Sequence, residues 1–382
     1  MIGLQALAPV TIAAAFLFGM ILALLGSIKL PLAQRLGIDE ARVGGLLAAL
    51  NLALIPLMLV SGILIDKVGV QGVLITGSVL TSLAVFALAM STTYQGSLYS
   101  ILLVGAGGAC ISTGGIVLMP EAFFKDNPSA SSNLGNVFFG LGALLTPALA
   151  DVLIRRFGYR RTLSMMALLC LVLTATAIAT ARGEFPTPGE GNLWRVLGDP
   201  VLWLTGLVLL LYGPLEGSIG TWATTYLTEL GYRERRAALL LSGFWLAFLA
   251  ARLLAAVLQQ KGVLHAHSEV WLILALSLVA AVALGNLAGT HRRGNAGFGL
   301  LLVGAAFGPI FPTLVGYLFN HFHPYDHGSA YGAMFAIGAT GSLFLPPLIG
   351  AYARRTSVRT SLRIPTVVAL LLAAVSLVLA LW

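Results

Sequence analysis

Twelve apolar runs, each long enough to cross a bilayer, leave this chain almost no room for anything except membrane-spanning helices. A spanning helix needs about 20 mainly apolar residues. The runs fall at residues 6–30, 42–65, 72–91, 97–123, 131–154, 162–181, 200–228, 236–259, 270–288, 296–320, 329–353 and 363–382. Only 9% of residues are charged, against about 25% in soluble domains, so a water-soluble fold is excluded. Most of the 44 glycines and 16 prolines sit within the apolar runs, the habit of packed membrane helices. Cys110 and Cys170 also fall there and read as small buried hydrophobes. The first run has no basic residue ahead of it and is too long for a signal-peptide core, so it reads as a retained helix. The fold class expected is an all-α membrane protein.

The longest polar interruption runs from Arg182 to Asp199 and holds Glu184, Pro186, Pro188, Gly189, Glu190 and Gly191. It predicts a six-helix bundle over 1–182, a central linker over 183–199 and a second six-helix bundle over 200–382. The two halves carry traces of a repeat, as transporter halves do. Leu17, Gly19, Gly26 and Gly37 recur 194 positions later as Leu211, Gly213, Gly220 and Gly231. Phe139, Gly142 and Ala143 recur 196 positions later as Phe335, Gly338 and Ala339. Both offsets lie close to half the chain length, which favours duplication over chance agreement among Gly-rich helices.

The turn after the second run reads Gly62-Ile-Leu-Ile-Asp66-Lys67-Val-Gly69. It resembles the Gly-x-x-x-Asp-Arg/Lys-x-Gly loop of the major facilitator superfamily, in position as well as spacing. Glycines there let two helices and a tight turn approach closely, and Asp66 is suited to a neighbouring helix end. The family's motif continues with two basic residues, whereas Gln71 and Gly72 stand here, so the charge-relay part is weakened. "LYGPLEGSIGTWATTYL" (Leu211–Leu227), "FWLAFLAARLL" (Phe244–Leu254), "GAAFGPIFPTL" (Gly304–Leu314) and "NLGNVFFGLGALLTP" (Asn133–Pro147) are similar to segments of its fucose/glucose-galactose permease-like branch. The drug/proton antiporter signature of helix 5 is not matched by Thr146-Pro147-Ala-Leu-Ala. The resemblance implies twelve helices in two pseudo-symmetric bundles, with both termini and the central linker in the cytoplasm.

An ionisable residue deep in a membrane helix is costly and reads by default as part of a solute, ion or proton path. Glu216 is the outstanding case, 16 residues past residue 200 in the seventh run and so near mid-bilayer. Gly213-Pro214, Gly217 and Gly220 surround it and are expected to thin or break the helix and free backbone groups for a ligand. Its repeat-mate is Leu22, so the acid is not needed merely to pack the fold. Burial disfavours the charge of a lone carboxylate; Glu216 is therefore expected to take up and release a proton, or to hold a cation or a sugar hydroxyl. The competing reading is a structural hydrogen bond or an ion pair with Arg252, the other charge inside a helix. The resembling family also fills the Arg252 position with Arg, which implies a structural role near one gate.

Candidate solute contacts are Asn51, Thr113, Asn136, Phe139, Tyr212, Trp222, Tyr226, Trp245 and Tyr331, because aromatic faces and amides suit the apolar and hydroxyl faces of a sugar. Each taken alone is better explained by packing. Gly62, Asp66, Lys67, Gly69 and Arg252 are gate or structural candidates. His321, His323 and His327 have the side chains of a metal site but lie on a loop without supporting motif, and read as a solvated loop, as do His265 and His267. "GAGGACISTGG" (Gly105–Gly115) reads as close helix packing, since it follows no strand. With no nucleophile elbow, paired-aspartate motif or phosphate loop, neither an enzyme nor a resident cofactor is expected.

Of the 22 Lys and Arg residues, Lys67, Lys125, Arg182, Arg195 and Lys261 lie in even-numbered loops, Arg252 lies in a helix, and the rest lie in odd-numbered loops. The positive-inside rule then puts the odd loops in the cytoplasm and both termini outside, the reverse of what the resemblance implies. The family orientation is kept, because a packed two-fold fold constrains topology more than loop charge. A basic outer face would then concentrate anionic solutes.

The reading expected is a monomeric secondary active transporter of the cell's inner membrane, with a central cavity between its halves. It would carry a small polar solute, a sugar or a sugar acid or organic anion, by alternating access, with a proton coupled through Glu216. The family's branch has proton-linked carboxylates in the first half; here the first helix has no acid, and Glu121 ends the fourth. Alternatives are an exporter of amphipathic compounds or lipid, and a membrane-embedded metal-dependent enzyme or sensor. Membrane lipid is a partner and nucleic acid is not.

Overall fold

The computed structural model describes residues 6–181, 184–189, 191–264 and 268–382. Arg182, Gly183, Glu190, His265 and His267 lie outside the described residues. Twelve described helices are long and apolar enough to span a membrane: α1 (Ala8–Ser27), α2 (Arg42–Val68), α3 (Val70–Met90), α4 (Tyr94–Ala122), α5 (Pro128–Phe157), α6 (Tyr159–Ala179), α7 (Pro200–Glu229), α8 (Glu234–Gln260), α9 (Glu269–Gly289), α10 (Arg293–His321), α11 (Pro324–Ala353) and α12 (Val358–Leu381). Polar side chains open several of them, as N-caps do. Asp199 accepts from the Val201 amide at 2.8 Å and Thr93 from the Gly96 amide at 3.1 Å. Gly69 and Gly158, at φ +89° and +78°, make the one-residue reversals between α2 and α3 and between α5 and α6, a backbone region in which a Cβ is strained.

The outer faces of these helices are apolar: Leu83 is 63%, Leu168 66% and Val282 74% exposed. Such a surface is stable only against lipid. Between helices, where lipid gives no hydrophobic drive, small residues let backbones meet. In α1 and α5 the contact is reciprocal. A Cβ on Gly19 would lie 2.0 Å from the Phe139 carbonyl, and one on Gly142 would lie 2.1 Å from the Phe16 carbonyl. In α10, Gly304 and Gly308 seat one turn apart on the Phe244 and Phe248 carbonyls of α8, at 2.4 and 2.3 Å from the same hypothetical atom.

The chain forms two compact units. The first comprises Met1–Asp126, Gly135–Val196 and Phe322–Ala333; the second comprises Asn127–Leu134, Leu197–His321 and Met334–Trp382. The division thus follows the linker, except that the first turns of α5 belong to the second unit and the first turns of α11 to the first. In the first unit α11 begins against α2, with Gly62 so close to Gly328 that a Cβ would sit 2.0 Å from the Gly328 carbonyl. The linker is not plain coil. Leu193–Gly198 is a short helix, opened by Asn192 Oδ1 accepting from the Trp194 amide at 3.0 Å.

Candidate functional site

The arrangement around Glu216 starts from two prolines. Pro214 removes one amide from α7, yet the helix runs on from Pro200 to Glu229 without the expected break; the space beside the Leu210 carbonyl is filled by Gly341, whose added Cβ would lie 2.1 Å from that oxygen. In α10 the chain does break. It runs as Arg293–Phe307 and Ile310–His321, parted at Gly308-Pro309. A helix end leaves carbonyls without intrahelical donors, and here two side chains supply them. The Tyr212 hydroxyl lies 2.8 Å from the Phe307 carbonyl, and Arg252 Nε donates to the Gly308 carbonyl at 2.7 Å.

Tyr212 and Glu216 are one turn apart on α7, hence on one face. The Tyr212 hydroxyl is 2.7 Å from Glu216 Oε2. Arg252 is 2% exposed, with its guanidinium 4.2 Å from the Phe248 ring centroid. It hydrogen-bonds to Tyr212 and lies within electrostatic reach of Glu216. Glu216 itself is half-buried, next to an exposed Gly217 on which a Cβ would meet no atom within 4 Å. Trp245 closes one side. Its ring is 5.4 Å from that of Phe248 and touches the Gly220 position.

Proton counting gives this site its chemical character. A phenol has one O–H to donate, and two acceptors sit at hydrogen-bonding distance from it. When Tyr212 donates to the Phe307 carbonyl, the contact with Glu216 is fully made only if the carboxyl carries a proton and donates back. When Glu216 is ionised, it competes with the carbonyl for the same hydrogen.

The other candidates are dispersed. Trp222 is half-buried, its indole nitrogen without a hydrogen-bond partner among the described residues, and packs on Gly350. Tyr226 is 1% exposed and tied to the Leu287 carbonyl of α9 at 2.8 Å, a tether between helices. In the first unit, Thr113 donates to Met58 Sδ at 3.3 Å, and Tyr331 bonds with Ser112, the residue before Thr113. Asn136 faces Met119, and Phe139 packs on Phe18 with centroids 5.7 Å apart. Asn51 is exposed on α2. Asp66 is buried and accepts from the Gly328 and Ser329 amides at 2.9 and 2.8 Å. A carboxylate there also faces the positive end of the helix dipole. Lys67 is exposed.

The histidines diverge. His321 pairs with Asp199 at 2.9 Å, His323 packs beside Tyr325, and His327 lies 3.1 Å from the Phe322 carbonyl. Among the described residues no three His, Cys, Asp or Glu side chains group as metal ligands.

Sequence reasoning missed a polar cluster in the second unit. Glu269, the first residue of α9, is 5% exposed. Its Oε1 accepts from the Ser129 hydroxyl and, at 3.0 Å, from Asn320 Nδ2. Beside it, Asn133 Nδ2 donates to Gln259 Oε1 and Thr313 Oγ1, both at 3.1 Å. Asn127 Nδ2 donates to the Gln259 carbonyl at 3.0 Å. The one signal in the sequence was an acid immediately preceding an apolar run.

With this geometry in view, the comparisons are informative. The Major Facilitator Superfamily model matches residues 11–346. No curated protein matches the chain by sequence. Among solved structures, the E. coli fucose:proton symporter FucP is 16% identical, with a TM-score of 0.77 over 98% of this chain and 99% of that one. The human organic anion transporter MFSD10 (TETRAN) is 17% identical, TM-score 0.75, covering 97% and 99%. The proton:xylose symporter XylE is 15% identical, TM-score 0.74, covering 97% and 94%. At such identities the likeness is one of fold, and the family model is what assigns the chain: this multi-pass membrane protein belongs to the major facilitator superfamily of transporters.

Proposed function

We propose that the protein is a secondary active transporter that moves a small polar solute, a sugar or a sugar acid or other organic anion, by alternating access, with a proton carried on Glu216. The observation that supports this is the single Tyr212 hydroxyl held between the Phe307 carbonyl and the Glu216 carboxyl. Proton loss from Glu216 redirects that hydrogen, and with it the support of the α10 break. A change of charge is thereby converted into a change of helix geometry. Arg252 offsets the ionised form. Trp245 offers an aromatic face beside it, and Gly217 leaves room for a ligand.

The solute class draws on the similar structures, two titled as proton symporters of fucose and xylose and one as an organic anion transporter. The site is the inner membrane, with both termini in the cytoplasm as the family resemblance implies.

The test is proton flux in liposomes containing the parent protein or Glu216→Gln, driven by a panel of sugars and sugar acids. The expected outcome is solute-dependent proton uptake in the parent and at least about a hundredfold less in the variant, the scale of losing a positioned acid–base group. Equal uptake in the two would remove Glu216 from the coupling step.

A further inference from the structure

We propose that Glu269 is a second proton-binding site, and that its proton latches the first turns of α5 to the ends of α8 and α10 and the start of α9. The inference stands independently of whether Glu216 carries the transported proton.

The two compact units hold a helix start in contrasting ways. In the first, the start of α11 is fixed by the Asp66 carboxylate through two backbone amides, donors that the first turn of a helix leaves without intrahelical acceptors and that carry the dipole's positive charge. In the second, among the described residues, the start of α5 is held by side-chain donors. Ser129 reaches Glu269, Asn133 reaches Gln259 and Thr313, and Asn127 reaches the Gln259 carbonyl. Packing is equally close in both: a Cβ on Gly316 of α10 would collide with Ser129 at 2.0 Å. What differs is how the carboxylate is satisfied.

Among the described residues, every group that hydrogen-bonds to Glu269 is neutral. Both donors, the Ser129 hydroxyl and the Asn320 amide, converge on Oε1, which leaves Oε2 as the seat of a proton. On α5 the facing residues Asn127, Ser129 and Asn133 are uncharged, as is Gln259 on α8, and Lys261 beyond it is exposed. On α10, Tyr317 is within electrostatic reach of Glu269 and of Asp199. Asp199 at the start of α7 is engaged by His321. Among the described residues no Lys, Arg or His pairs with Glu269.

An ionised carboxylate held from water without a cation costs far more than the neutral acid. Withdrawal of the α5 start removes Ser129 and admits water, which restores hydration to the charged form. Docking and proton binding therefore favour each other, by linkage. Acid tightens the latch and alkali loosens it.

Two measurements on the full-length protein in lipid bilayers test this without any solute. The first is infrared difference spectroscopy between about pH 5 and about pH 9, the span that perturbed carboxyls cover. The parent and Glu216→Gln should both show a carbonyl stretching component of a protonated, water-shielded carboxyl that changes between the two states, and Glu269→Gln should lose that component while keeping those of the buried Asp66 and the half-buried Glu216. The second is hydrogen–deuterium exchange of residues 127–134, corrected for intrinsic rate. Exchange should be roughly tenfold faster at the alkaline end in the parent and stay slow at both ends in Glu269→Gln, whose amide is neutral at every pH. Ser129→Ala, which keeps the carboxyl, should retain the infrared band while weakening protection of 127–134. A difference spectrum left unchanged by Glu269→Gln but reduced by Glu216→Gln would overturn the latch while leaving the coupling role of Glu216 intact. Protection of 127–134 that is the same at both pH values in the parent would overturn it as well.

Discussion

Tyr212 serves two masters with one hydrogen, and its replacement separates them. Tyr212→Phe keeps the ring, which packs edge-on against Phe307 at 5.8 Å between centroids, and deletes only the hydroxyl. The Phe307 carbonyl then loses its donor, and an unsatisfied buried acceptor costs about 1–3 kcal/mol. We expect a lower unfolding temperature in detergent by that measure and, in liposomes, a shift in the pH dependence of flux that a purely structural residue would not produce. Arg252→Lys should be worse tolerated than its charge suggests. A lysine ammonium is a point donor without the fork that lets Arg252 bond the Gly308 carbonyl and Tyr212 together. Unfolding midpoints of Arg252→Lys and Tyr212→Phe compared side by side check this: a parental midpoint for the lysine variant would contradict it. At Gly62 the limit is steric. Gly62→Ala sets a methyl against the Gly328 backbone, which cannot swing aside. The expected cost is about 1–3 kcal/mol, together with faster amide exchange at 327–333.

Among the elements, the central linker carries more than connection. Gly189 donates to the Asp66 carbonyl at 3.2 Å, Asn192 donates its amide to Asp326 Oδ1 at 2.9 Å, and Arg195 pairs with the buried Asp326. Gln71, standing where the family motif has a basic residue, instead donates to the Ala177 carbonyl at 2.8 Å and ties α3 to the end of α6. Arg195, far along the chain, brings its positive charge to Asp326. Reversing either partner alone, Arg195→Asp or Asp326→Arg, should speed cleavage within the linker by proteinase K, which needs no basic residue, and combining them should restore most of the resistance. Since Arg195 is 60% exposed in its side chain, the pair itself contributes at most about 1 kcal/mol. The twelve spans were legible from apolar runs because lipid demands length and hydrophobicity alone; α7, expected at 200–228, runs over Pro200–Glu229. The α10 break was not anticipated, nor the helix inside the linker, whose Asn192 cap is a local signal that the Pro- and Gly-rich neighbourhood masked. Glu216 and Arg252 stood out as charges in apolar sequence. Glu269 did not, because its partners Ser129 and Asn320 lie 140 and 51 residues away and no local pattern links them.

At the scale of the molecule, the loop charges and the family resemblance point to opposite orientations, and the matter is decided by experiment. A fluorescent protein fused after Trp382 should mature and glow in the cytoplasm, while alkaline phosphatase at the same place should remain inactive. The reverse pair of results would make the arginine-rich odd loops cytoplasmic, in line with their charge. The parting of α10 at Gly308-Pro309 has a further bearing on how such a protein diversifies. Because two freed carbonyls are answered by groups from two other helices, no member of the trio formed by the phenol, the guanidinium and the acid can be exchanged in isolation. A lineage seeking a new cargo at this spot must change them in concert, or leave them alone and vary the aromatic wall around them.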